Sequence, residues 1–377
     1  MNMKRNIVGV GMLLLFAAVL WSCSDSSDNN PEQDLSLEQS LVAKTNTLSG
    51  AVTDISNSNG FDIITMDDSS STKSGEEGEE NDDPRFSLSI TLDDIKGLYD
   101  YTPSVNEETS ETKFGHQKVF EKTKDTTLFI LRLPKEKATN PWALYSNEEG
   151  DAELTNDFVI TTTEYNYAYA GGFKFDYLLN SEIAVEGEPA GALYVDWSIS
   201  ENLHFDYMSK YSFTDNYSVG VEFQFGDMIS YQYHLDEGED VLFKEKVEIV
   251  KVEGSDSKEL EYTLAIGNIE IVKNSQSEGY QVYRDGVLEE GAVVEVVTET
   301  GETDEAAVVF CRKGLDLKIT FADESTVVLS ELLGEGTLDK MNEIFSSMYD
   351  MNFVKHLVDK VAREVYYTNQ NSATETE

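Results

Sequence analysis

Basic residues are scarce in this chain. Lys and Arg together number 28, against 72 Asp and Glu, so the formal charge is −44 over 377 residues. A nucleic-acid surface needs cations to neutralise phosphates, so this balance argues strongly against such a partner. It also argues against lying flat on an anionic membrane. Cysteine is nearly absent: there are two, Cys23 and Cys311, and no CxxC pair for metal or redox chemistry. The four histidines, His116, His204, His234 and His356, form neither HxH nor HExxH. His204 and His234 fall in neighbouring expected strands, within reach of each other, in a polar register. There is no GxSxG elbow, no P-loop and no GxGxxG after a strand. Paired carboxylates for glycoside hydrolysis carry no usable signal, because 72 acids produce suitable pairs by chance. Proline is also rare, six in all and none after Pro189, which suits long uninterrupted strands.

Apolar residues make up 40% and aromatics 11%, with 19 Tyr and 18 Phe. That composition describes a folded protein rather than a disordered acidic chain.

The N-terminus has its own grammar. Lys4 and Arg5 precede an apolar run from Ile7 to Leu20, long enough for a signal peptide and short for a spanning helix. Leu20-Trp21-Ser22-Cys23 follows. This resembles the lipobox of bacterial lipoproteins, with an aliphatic residue three before the Cys and a small one directly before it. Trp21 is the less usual element. The resemblance implies cleavage after Ser22 and lipidation of Cys23. The stretch Ser24-Asp25-Ser26-Ser27-Asp28 is acidic and Ser-rich, similar to the surface-export signals of Bacteroidota lipoproteins, though its Asp residues are scattered. Several acyl chains give stable anchoring where one is marginal. Removing residues 1–22 takes away Lys4 and Arg5 and no acid, leaving a remainder near −46. With Cys23 lipidated, Cys311 has no disulfide partner. Its apolar surroundings, Ala307 to Phe310, suggest a buried thiol.

The pattern along the chain gives these expectations: a signal peptide at 1–22 and a flexible tether at 23–34; a helix and short strand at 35–66; an acidic disordered linker at 67–84; a β-rich domain at 85–334; a helical pair at 335–368; and a disordered tail at 369–377. Leu41, Thr45, Leu48, Val52 and Ile55 recur at helical spacing behind a capping-box Ser36 and Gln39. The linker lacks the alternating ligands and central Gly of an EF-hand loop. From Phe86 the period becomes 2. Runs such as Leu193-Val195-Trp197-Ile199 and Val219-Val221-Phe223-Phe225 alternate with polar residues and are joined by short turns, so neighbours in sequence pair antiparallel. Asp285-Gly286 signals a type I′ hairpin. Thr326 to Leu332 reads as a further strand. After Gly334 the period returns to 3.6.

The expected fold is α+β: a large antiparallel meander with N- and C-terminal helices packed on it, or alternatively a β-sandwich with peripheral helices. The expected role is a non-catalytic lipid-anchored envelope protein, at the outer membrane and facing the cell surface or the periplasm, that binds a ligand or partner. A carrier of a hydrophobic ligand between sheet and helices is the alternative, and a carboxylate-dependent hydrolase the third reading. Candidate partners besides the membrane reached through the lipid are a glycan, a hydrophobic small molecule or an envelope protein. No cofactor, metal or catalytic residue is expected. Sugar faces stack on exposed Trp and Tyr, so the candidate contact residues are Trp142, Tyr165, Tyr167 and Tyr194, while Trp197 reads as core.

Overall fold

The computed structural model describes residues 35–65, 87–102, 119–138, 154–170, 174–200, 202–251, 258–298, 315–350 and 352–374. The signal peptide, the tether, Cys23, the acidic stretch 67–83, His116, Trp142 and Cys311 lie outside them.

Helix α1 (Leu37–Ser56) buries the stripe its spacing calls for: Leu41, Thr45, Leu48, Val52 and Ile55 are all enclosed. A short helix, α2 (Asn59–Ile64), follows where the period suggested a strand. Six residues are too few for periodicity to decide. The local chemistry decides instead: Ser58 caps the helix, its Oγ accepting from the Phe61 N–H at 3.1 Å.

The next elements are short: β1 (Ser87–Thr91), α3 (Leu92–Ile95), β2 (Gly97–Tyr101), β3 (Phe120–Lys124), β4 (Phe129–Leu133) and α4 (Lys135–Ala138). The meander then begins with β5 (Phe158–Ala170), β6 (Lys174–Val185), β7 (Glu188–Ile199), β8 (Phe205–Ser212) and β9 (Tyr217–Phe225). It continues through β10 (Met228–Glu237), β11 (Asp240–Lys251), β12 (Lys258–Ile266), β13 (Ile269–Asn274), β14 (Gln281–Arg284) and β15 (Val287–Leu288). From β4 to β15 every strand pairs antiparallel with its chain neighbour in one 15-stranded sheet, whose far edge is β2 and β3. Only β2 and β4 pair parallel. The β14–β15 turn has φ of 53° at Asp285 and 75° at Gly286, the two positive values that a type I′ turn requires.

A separate three-stranded sheet holds β16 (Val293–Thr298), β17 (Leu315–Thr320) and β18 (Thr326–Val328). The strand expected over Thr326–Leu332 stops at Val328 and turns into α5 (Leu329–Leu333), where Asp316 accepts from the Ser330 N–H at 3.2 Å at the new helix start. Then come α6 (Glu335–Asp350) and α7 (Asn352–Thr374). Helix α7 runs past Thr368 into the segment expected to be a disordered tail, and Asn369 donates to the Asp94 carbonyl at 3.1 Å.

The fold is thus α+β, a large antiparallel meander with helices on one face. The helix-side positions of the strands join α1, α2, α6 and α7 in a continuous core.

Candidate functional site

Register places the helix-side residues of β5 to β12 in straight rows across the strands. One row reads Tyr165, Leu179, Val195, Ser209, Val221, Tyr233, Glu245 and Leu264. The next reads Tyr167, Tyr177, Trp197 and Tyr207, then Phe223, Tyr231, Val247 and Tyr262. The outermost reads Tyr169, Phe175, Ile199 and Phe205, then Phe225, Ile229, Ile249 and Leu260. Strands sit about 4.8 Å apart and rows about 7 Å apart, so each row extends on the order of 35 Å.

Exposure grades across these rows. The first is buried except for half-buried Tyr233. In the second, only Tyr177 and Tyr262 are buried and the rest are half-buried. In the outermost no residue is buried, and Tyr169 and Phe225 are 37% and 46% exposed. The physical cause is the position of the helices, which stand over the first row. On α6, Phe345 meets Tyr233 and Phe243, with centroids at 5.2 and 5.6 Å. On α7, Asp359 reaches Tyr165 in the first row and Tyr177 in the second, and Lys355 and Arg363 stand over rings of the second.

The rings hold one another edge-to-face. Trp197 lies 4.6 Å from Phe175, 5.9 Å from Phe205 and 6.3 Å from Tyr207 between centroids. Such pairs contribute about 0.5–1.5 kcal/mol each beyond area burial. The result is a pre-ordered aromatic strip, apolar in its ring faces and polar at its tyrosine tips. Trp197 Nε1 is enclosed with no hydrogen-bond partner among the described residues.

Helix α7 is fixed to this surface by a buried polar knot. Asp359 Oδ1 accepts from both the Tyr165 and Tyr177 hydroxyls at 3.0 Å, and Asp359 Oδ2 accepts from Lys355 Nζ at 2.8 Å. Lys355 Nζ also lies 4.6 Å from the Tyr177 ring centroid. Burial, and then the Asp359 charge, push the Tyr165 and Tyr177 hydroxyls well above the usual tyrosine range. One turn further on, the exposed Arg363 stacks over Tyr167 at 4.6 Å.

The sequence candidates separate accordingly. Tyr165 is core, 4% exposed, with its hydroxyl on Asp359. Tyr167 belongs to the strip. Tyr194 faces the opposite side of the sheet, where its hydroxyl reaches Asp196 at 3.3 Å, so it does not join the other two. Trp142 lies outside the described residues. Trp197, read as core, is half-buried at the centre of the strip. A period-2 run shows which face a residue takes but not where a helix stops covering that face.

The opposite face carries little that converges. His234 Nδ1 is 2.6 Å from Asp236, and its ring lies over Gly220, where a Cβ would come within 2.1 Å of Nε2. His204 does not meet it: β9 lies between the two, and His204 sits against Gly226 instead. No three His, Cys, Asp or Glu gather as metal ligands among the described residues. A concavity of about 350 Å³ is lined by Thr161, Glu182, Gly191, Ala192 and Ser212 among others, with Glu182 its one carboxylate.

No known family, no curated protein and no solved structure matches this chain.

Proposed function

We propose that this chain is a non-catalytic envelope lipoprotein, anchored at the outer membrane through lipid on Cys23, that binds its partner along the aromatic strip. The observation that carries the reading is the exposure gradient. A face that is core beneath α6 and α7 continues past them into an outer row in which no residue is buried, still largely aromatic, with Tyr169 and Phe225 open to solvent. A contiguous apolar surface of that kind marks an interaction site. The rings are already wedged against one another, so binding orders few side chains.

Hydrolysis by paired acids needs two facing carboxylates, and the concavity on the other face offers one. A ligand lodged beneath α7 has to displace Asp359 from two hydroxyls and from Lys355. Both features favour binding on the open rows.

The test uses Trp197 as reporter. Ligands from a polysaccharide and lipid panel are titrated against the protein and against Tyr169→Ser/Phe225→Ser, whose changes are at exposed positions. A ligand that shifts the indole emission and loses affinity in the double variant supports the strip. Binding indifferent to both substitutions overturns it. The anchor is tested separately: labelled palmitate incorporation is expected to vanish in Cys23→Ala, and persistence of label removes the lipoprotein reading.

A further inference from the structure

We draw no further inference here: the strongest candidate, the open outer row of the aromatic strip on the helix-side face of β5–β12, with Tyr169 and Phe225 exposed, belongs to the site already described, and nothing in the structure shows what covers it.

Discussion

Asp359 is the residue on which the docking of α7 turns. It is 7% exposed, and its charge is met by Lys355 and by two tyrosine hydroxyls. Removing one partner of a buried pair leaves the other uncompensated, which costs about 3 kcal/mol or more. Asp359→Ala is therefore expected to lower the urea midpoint by that equivalent, and Tyr177→Phe by about 1 kcal/mol. Equal effects from the two would show that the carboxylate is not the hub. The tyrosines also set an alkaline limit. Burial raises Tyr99 from 10.0 to about 12, and Tyr165 and Tyr177 also rise. The folded chain then keeps protons that the unfolded chain releases, so stability falls as pH rises above 10. This contribution is whole below 10 and is lost through about 12 for Tyr99. Denaturant titrations between pH 9 and 12 should show the decline, and Tyr99→Phe should make it shallower.

At the scale of elements, the contact between α2 and β7 depends on one missing side chain. A Cβ on Gly60 would lie 2.6 Å from the Ala190 carbonyl oxygen and 2.8 Å from the Phe213 ring. The carbonyl is backbone and cannot turn aside. Gly60→Ala should destabilise by about 1–3 kcal/mol, the range for overpacking, although alanine is the better helix former in isolation. A rise in the thermal midpoint would show that α2 does not need this close approach. Legibility at this scale followed length. The twenty residues of α1 and the long strands of the meander repeat their period often enough to be read directly. The six residues of α2 and the three of β18 do not, and capping by Ser58 and Asp316 decides their neighbourhoods.

For the whole molecule, a charge of −44 opposes compaction by self-repulsion. Raising NaCl from 0.1 to 0.5 M shortens the Debye length from about 10 Å toward 4 Å. The thermal midpoint should therefore rise with salt. A midpoint that falls with salt would mean that favourable ion pairs outweigh the repulsion.

The sequence by itself determined the meander, which residues share a face within each long strand, and the stripes of the flanking helices, because these follow from periods of 2 and 3.6 that are local in the chain. It also determined the overall charge. Only the tertiary structure decided which part of the apolar face is core and which is open. Tyr165, Tyr167 and Tyr169 are the same residue type at the same spacing on one strand, yet they are buried, half-buried and exposed in turn. Helix α7, nearly two hundred residues away in sequence, makes part of the difference: its Asp359 takes the hydroxyl of the first and its Arg363 stacks over the second.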